Sequence, residues 1–341
     1  MKGMTYARSG VDIDAKSDAI RALVSHTRFK RKKYSNRIEG HYTSLIDFGD
    51  EYLTLCTDGV GTKLLVADAL RKWDTVGIDC IAMNVNDTIC VGAEPISFVD
   101  YIACDVPDPG MMAQIGKGLD KGARLSGVEI VGGETAILPE ITHGYDLVGT
   151  ALGHVKRCDV ITGAKIKAGD AILAMASSGI HSNGLTLARK VVMDRGVGLI
   201  DEVEFEGERF VIGEELLTPT VIYVKEVLKL CKDHDIKGLA HITGGGLRNI
   251  LRLNPKVRFD VTDLPRPPRV FRLIQAWGGV DVQEMYQTFN MGMGMVLVVP
   301  EDECDDILQA INKKRKGWRI GRVVRGNGVE VPGLGLRYSR Y

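Results

Sequence analysis

One stretch does most to limit what this chain can become. Thr57-Asp58-Gly59-Val60-Gly61-Thr62-Lys63 lies between the apolar run Tyr52-Leu53-Thr54-Leu55-Cys56 and the helix-like Leu64 to Leu70. A strand that ends in an acid, turns through glycines and enters a helix with a threonine and a lysine presents a carboxylate and backbone N–H groups at one small place. A phosphate with its metal ion fits such a place, and so does an ordinary Asp-Gly turn. The choice between them depends on what the rest of the chain supplies.

Composition removes several classes of function. Lys+Arg and Asp+Glu are both 44, so the formal net charge is zero and there is no global field to hold a nucleic-acid backbone. Residues Met1 to Asp18 lack a signal-peptide apolar core, and no charge-free apolar span reaches membrane length, which predicts a soluble cytoplasmic protein with no membrane partner. The seven cysteines show no CxxC spacing and mostly sit in apolar runs, as buried free thiols do. A length of 341 residues predicts two domains, with the boundary in the Gly- and Lys-bearing stretch Arg157 to Lys167. The expected division is 1–165 and 166–341.

Along the chain, Asp14 or Ser17 is placed to cap a helix, and the basic run Arg28 to Lys33 reads as a solvated face, as a mobile segment that meets a polyphosphate, or as a local nucleic-acid contact. Strands are expected at Tyr42 to Phe48 and Glu51 to Cys56. In Thr75 to Pro95 the residues Ile78, Ile81, Ala82, Val85 and Ile89 form a helical apolar stripe, while Asp79, Met83, Asn86 and Asp87 share another side. Acids on an otherwise buried-looking helix need a partner, which is either a metal or an interfacial hydrogen-bond network. A strand at Ile96 to Ala103, a helix at Pro109 to Ser126 and a short strand at Val128 to Val131 lead to Gly132-Gly133-Glu134-Thr135, which repeats the grammar of the first stretch. Strand Tyr145 to Lys156 follows.

The second half opens with strand Ala171 to Ala176 and then Ser177-Ser178-Gly179-Ile180-His181-Ser182-Asn183-Gly184, which reads as an anion cradle or as a structural helix cap. Glu202 to Glu214 is a charged excursion, Pro219 to Leu230 reads as a helix, and Ile236 to Ala240 as a strand running into His241-Ile242-Thr243-Gly244-Gly245-Gly246. Three glycines in a row let a ligand approach the backbone closely. Helices are expected at Val270 to Trp277, Asp281 to Phe289 and Glu303 to Lys313, and strands at Val296 to Val299 and Trp318 to Val323.

Oxygen ligands without His or Cys clusters point to magnesium, and magnesium beside phosphate cradles points to a nucleoside triphosphate and phosphoryl transfer. The chain has neither GxxxxGK[ST] nor GxGxxG. Asp58 to Lys63, Asn86-Asp87 with Gly92-Ala93-Glu94-Pro95, Gly132 to Thr135, Ser178 to Gly184, His241 to Gly246 and Phe289 to Gly292 together resemble the phosphoribosylformylglycinamidine cyclo-ligase, or aminoimidazole ribonucleotide synthetase, family. The resemblance runs in order from about Ser9 to Gly321.

It implies an α+β fold of two α/β domains. The N-terminal domain would carry a mostly antiparallel sheet that pairs into a barrel across a homodimer, and the C-terminal domain would be an α/β sandwich. The implied reaction converts ATP and formylglycinamidine ribonucleotide to aminoimidazole ribonucleotide, ADP and phosphate. The amide oxygen takes the γ-phosphate, and ring closure by nitrogen expels it. By the same resemblance Asp58, Asp87 and Glu134 hold Mg²⁺, with Asp79 in support. Gly10, Asp12, Asp14, Asp58, Gly59, Gly61, Thr62, Lys63, Asn86, Thr243, Gly244 and Gly245 bind ATP. Lys63 offsets phosphate charge, and Ser178, Gly179, His181, Ser182 and Asn183 meet the substrate, with His181, Lys63 and Asp87 as the catalytic set. Two stretches depart from the family pattern: Asn249-Ile250-Leu251-Arg252 lacks a proline before the arginine, and Ala7-Arg8-Ser9-Gly10 is less typical. Among rival relatives, thiamine-phosphate kinase is disfavoured by the absence of its paired aspartates, and selenophosphate synthetase by the absence of cysteine before residue 40.

Overall fold

The computed structural model describes residues 4–10, 13–36, 38 and 41–340. In the first half, helix α1 (Ile13–His26) precedes strands β1 (Ile46–Phe48) and β2 (Glu51–Gly59), helices α2 (Leu64–Leu70) and α3 (Val76–Thr88), strand β3 (Glu94–Cys104), helix α4 (Pro109–Ser126) and strands β4 (Glu129–Ile137) and β5 (Tyr145–Lys156). The sheet order is β1-β2-β5-β3-β4, antiparallel throughout except for the parallel β3/β4 pair. In β5 every second residue from Tyr145 to Val155 is buried, the period-two signature of a sheet with one covered face.

The covering helices α3 and α4 come together at glycine. A Cβ on Gly77 would stand 2.3 Å from the Leu119 backbone nitrogen, and one on Gly118 would stand 2.8 Å from the Asp74 carbonyl oxygen. Side chains at either position would push the helices apart. The opposite face of the sheet stays open and carries Leu55, Ile96, Val99, Tyr101 and Val131 as exposed apolar residues.

Two turn expectations change here. Asp58 and Gly59 are still in β2, and the chain turns only at the 3₁₀ segment Gly61–Lys63. Gly132 to Thr135 is no turn at all; these residues are the middle of β4, paired with Val99 to Ile102 after a register shift in β3. Glycines in an edge strand beside a bulge follow a known pattern.

In the second half, strand β6 (Ala171–Ala176) is followed by helix α5 (Leu185–Asp194), the hairpin β7 (Glu202–Phe205) and β8 (Glu208–Val211), helices α6 (Ile212–Leu217) and α7 (Val224–Asp233), and strands β9 (Gly238–His241) and β10 (Val257–Val261). Helices α8 (Arg269–Gly278) and α9 (Val282–Thr288), strand β11 (Met293–Val299), helix α10 (Cys304–Asn312) and strands β12 (Gly317–Arg325), β13 (Gly328–Val331) and β14 (Leu336–Tyr338) complete it. The large sheet runs β14-β13-β10-β12-β6-β11-β9. β9 and β11 are buried along their whole length and β6 nearly so, which requires cover on both faces and explains their unbroken apolar runs.

The charged excursion at Glu202 to Glu214 is largely the β7–β8 hairpin, whose Glu206-Gly207 corner has both residues at positive φ. The expected helix from Pro219 begins only at Val224. One continuous apolar core joins residues of both halves, from Val60 and Ile81 to Leu185 and Val298. Among the described residues no helix is long and apolar enough to cross a membrane. All seven cysteines are free, and of them only Cys158 is exposed.

Candidate active site

The segment Thr218 to Tyr223 links the two halves chemically. It lies between the polar side of α3 and the loop after β6. Asp79 Oδ1 accepts from the Thr220 backbone N–H at 2.7 Å and from its hydroxyl at 2.6 Å. Asn86 donates to the Val221 carbonyl at 2.7 Å and accepts from the Tyr223 N–H at 3.0 Å, the pairing a neighbouring strand would offer. From the other side, Ser178 Oγ donates to the Pro219 carbonyl at 2.5 Å, and the Ser182 and Thr220 hydroxyls lie 3.2 Å apart. Pro219 ends α6 just before this stretch, because the residue before a proline, here Thr218, is driven to extended backbone. The sequence expectation of a helix from Pro219 hid this hub.

Lys63 is the largest departure from the expected site. Its side chain is fully buried, and its ammonium donates to Asp79 Oδ1 at 2.9 Å and to the Thr218 carbonyl at 2.6 Å. Burial pulls the Lys63 pKa down, and the Asp79 carboxylate works against that fall. Lys63 and Asp79 are therefore engaged with each other and with the hub, and neither stands open to a phosphate or a metal. Asp79 Oδ2 is buried without a partner.

Asp87, about two turns further along the same helix, faces a different group. His241 Nδ1 lies 2.8 Å from Asp87 Oδ1, and the His241 ring is completely buried at the end of β9. Asp58 is within electrostatic reach. Crowding by protein and then the Asp87 carboxylate push its acid up to about 6, against relief from the Gly59 N–H, His241 and Lys16. Two carboxylates that repel each other, with only an imidazole and an exposed lysine to compensate, suit a divalent cation. Asp58 and Asp87 are the residues of this chain that would hold Mg²⁺, although no group of three or more acidic, His or Cys ligands is assembled among the described residues.

Glu134 does not join them. Gly59, Val148, Tyr101 and Glu134 are in register across the sheet, which puts Glu134 three strands, roughly 14 Å, from the end of β2. Strand alternation sends Glu134 with Tyr101 to the open face, whereas Asp58 lies with Asp100 on the helix-facing side. Within one chain the acids expected to converge split into a pair and an outlier.

The loop of the second half closes the site. His181 has φ of 60°, rare for a residue with a side chain, and is buried. Its Nε2 accepts from the Ser178 N–H at 3.3 Å, so the proton sits on Nδ1, which is buried without a partner. Burial, followed by the neighbouring His241, Lys63 and Arg315, holds its pKa well below the ordinary histidine value. His181 is a neutral imidazole with one uncommitted donor. His241 Nε2 is likewise buried and unpartnered.

Thr62 and Thr186 share a hydrogen bond at 2.9 Å, which joins the Asp58 stretch to the start of α5 and so to this loop. Asn183 is half-buried, and a Cβ on Gly244 would come 2.9 Å from its Oδ1, so the Thr243 to Gly245 backbone abuts the loop directly. Gly179 adopts φ of 152°. Asn249 ties down this glycine run by donating to the Gly246 carbonyl at 2.9 Å.

Gly10 ends a 3₁₀ turn, Ala7–Ser9, that is docked on the second half: the Met4 N–H donates to the Gly278 carbonyl at 3.1 Å, and the Tyr6 N–H to Glu284 Oε1 at 2.8 Å. Asp14 belongs to α1, and Asp12 lies outside the described residues. A cavity of about 800 Å³ opens beside Cys56 and Thr57, next to Asp58, with Arg28, Lys30, Tyr42 and Thr43 on its wall. His241 was missed as a site residue in the sequence. Its signals were its place, last in an apolar strand and three residues before Gly244, and its membership of the His241 to Gly246 motif.

Family models described as AIR synthase related protein match the chain at residues 40–155 (N-terminal domain) and 167–333 (C-terminal domain). A phosphoribosylformylglycinamidine cyclo-ligase of Thermococcus kodakarensis is 48% identical over 340 residues, covering 98% of this chain and 99% of its own. The protein of the same name from Methanocaldococcus jannaschii is 49% identical over 334 residues, with 97% and 94% covered. Solved structures share the fold at low identity. The thiamine monophosphate kinase of Aquifex aeolicus superposes with a TM-score of 0.63 at 15% identity (96% and 99% covered), and hydrogenase maturation protein HypE in complex with ATP with 0.61 at 19% (94% and 93% covered). Near-full-length identity at this level is decisive: the chain belongs to the phosphoribosylformylglycinamidine cyclo-ligase family.

Proposed function

We propose that this protein closes the imidazole ring of purine nucleotides, converting formylglycinamidine ribonucleotide and ATP to 5-aminoimidazole ribonucleotide, ADP and phosphate. The observation that carries the reading is the meeting, where the two halves join, of the Asp58 stretch, the Asp87–His241 pair and the Ser177 to Gly184 loop. The name carried by the relatives supports it, as does the binding of an ATP analogue by a thiamine monophosphate kinase of the same fold.

In this reading the triphosphate lies along the cavity beside Thr57, with Arg28 and Lys30 on its outer wall. A magnesium ion held by Asp58 and Asp87 would supply charge neutralisation of the phosphates. Asp87 orients the His241 ring through Nδ1 and leaves Nε2 for a ligand atom. The neutral His181 offers its Nδ1–H as a hydrogen-bond donor to the oxygen that departs with phosphate, while Ser178, Ser182 and Asn183 line the substrate side. Lys63 is a positioning residue: with Asp79 it holds the glycine turn against Thr218 and Thr220. Attack of the ring-forming nitrogen on the carbon that bears the phosphorylated oxygen, with loss of the nitrogen's proton, then breaks the C–O bond and expels inorganic phosphate.

The open, apolar face of the five-stranded sheet is the surface we assign to a homodimer, and Glu134 on that face would belong to the shared groove. Seven free cysteines suit the cytoplasm. The deciding experiment incubates the protein with ATP, Mg²⁺ and formylglycinamidine ribonucleotide and follows the aminoimidazole product. Asp87→Asn should raise the KM for ATP by an order of magnitude or more while moving Tm by no more than about 2–4 °C. Absence of product, together with turnover of thiamine phosphate or selenide, would overturn the assignment.

A further inference from the structure

Helix α5 carries a cation that the fold does not use. Arg189 is half-buried. Its Nε is enclosed without a hydrogen-bond partner, and among the described residues nothing pairs with its terminal nitrogens, which are not enclosed. Burial alone pulls its pKa down, with no neighbouring charge acting on it. Other half-buried arginines of the second half show what the fold does with a guanidinium it holds for structure: Arg258 meets Asp260, Arg269 meets Glu215, Arg272 meets Glu206 and Arg315 meets Glu226. An enclosed donor left unmatched points to a partner from outside the chain.

The helix sets where that partner would lie. Arg189 is one turn beyond Thr186, and residues three apart on a helix have Cβ atoms about 5–6 Å apart. Thr186 is the residue that meets Thr62 of the Asp58 stretch at 2.9 Å. Helical side chains lean toward the N-terminus, so Arg189 leans toward the end of α5 that the Ser177 to Gly184 loop enters. Lys190 reaches instead to the Arg8 carbonyl at 3.0 Å.

The rest of that side supplies no free cation of its own. Neither Ser177 to Gly184 nor Thr243 to Gly246 contains a lysine or arginine, Lys63 is taken up by Asp79, and Arg248 folds back toward the Gly245 carbonyl at 3.5 Å. A phosphate monoester brings a charge of about −1.5 to −2 near neutral pH, which hydroxyls and amides alone match poorly. We propose that Arg189 anchors the phosphate of the sugar-phosphate substrate, its terminal nitrogens meeting two phosphate oxygens while the Ser177 to Gly184 loop holds the reacting amide. The inference rests on the substrate proposed above, and it makes Arg189 the residue that separates a ribonucleotide from its phosphate-free ribonucleoside.

The test compares wild type with Arg189→Met and Arg189→Lys in three measurements. In steady-state turnover Arg189→Met raises the KM for formylglycinamidine ribonucleotide about tenfold to a hundredfold, as loss of a charge-assisted bond would, and leaves the KM for ATP unchanged; Arg189→Lys, which keeps the charge without the fork, falls between. In thermal melting Arg189→Met stays at or above wild type, because a side chain without a partner gives up no bond. In phosphorus NMR without ATP, ribose 5-phosphate and the ribonucleotide are titrated separately, and saturable binding of either ester to wild type is lost in Arg189→Met. The proposal is overturned if the ribonucleotide KM does not move, if the KM for ATP rises as much, or if Tm falls while phosphate-ester binding persists. Wild type that makes no aminoimidazole product refutes the proposed reaction, and the NMR titration then decides for Arg189 by itself: ester binding that depends on the guanidinium upholds the anchor, and equal binding in both proteins or none in wild type removes it.

Discussion

Replacing Lys63 by methionine separates the two roles this residue could have. In the structure its ammonium is enclosed and makes two bonds, to Asp79 Oδ1 at 2.9 Å and to the Thr218 carbonyl at 2.6 Å. Methionine keeps much of the stem's volume and removes the charge, leaving the Asp79 carboxylate buried with only the Thr220 N–H and hydroxyl. An uncompensated buried charge costs about 3–5 kcal/mol when its partner is removed. Neutralising the acid as well should return part of that loss: the double variant Lys63→Met/Asp79→Asn keeps an oxygen for both Thr220 donors and strands no charge. The assay is equilibrium urea unfolding followed by tryptophan fluorescence, alongside turnover. The expected order of stability is wild type first, the double variant next and Lys63→Met last. A single variant within about 1 kcal/mol of wild type, the range of an exposed pair, but without activity would refute the reasoning and return Lys63 to the phosphate.

Three further outcomes follow from named contacts. The acid of Asp58 titrates near 6, above its ordinary 3.8, so its contribution to stability is full below about pH 4 and is lost as the pH rises through 6. Metal-free Asp58→Asn should therefore melt higher than wild type at pH 7.5 and no higher at pH 4, measured by scanning fluorimetry; equal melting at both would mean Asp58 is solvated. Gly246→Ala puts a Cβ 2.0 Å from the Tyr286 carbonyl at φ of 52°, which should cost about 1–3 kcal/mol in urea unfolding and slow turnover through the glycine run. Val131→Asp or Tyr101→Arg on the open sheet face should shift the particle mass in light scattering from dimer to monomer without loss of secondary structure.

What could be read from the sequence was what periodicity controls. Pro109–Ser126 and Tyr145–Lys156 fall where the pattern places them, because one has a proline start and an amphipathic stripe and the other alternates strictly between buried and open positions. Short or polar strands escaped. β10 and β13 sit among arginines and glycines, and β10 draws its strand character from pairing with β12 and β13, both far along the chain and outside any local window. Gly132 to Thr135 looked like the Asp58 stretch because both pair glycine with an acid, yet one is an edge strand and the other a strand end before a 3₁₀ turn.

The polar side of α3 shows why the site itself was only half legible. Asp79, Asn86 and Asp87 were grouped correctly by helical spacing, and two explanations stood open, metal binding or an interfacial network. The fold places Asp79 and Asn86 in the network and leaves Asp87 outside it. Asp79 and Asn86 are spent on Thr220, Val221 and Tyr223, since groups buried this deeply must be paired. Asp87, at the end of the helix and partly open, pairs with His241 through one oxygen and takes no part in holding the Thr218 to Tyr223 segment. A periodic pattern names the residues on a side of a helix; which of them meets a ligand depends on a strap some 140 residues later, and Pro219 was its only local mark.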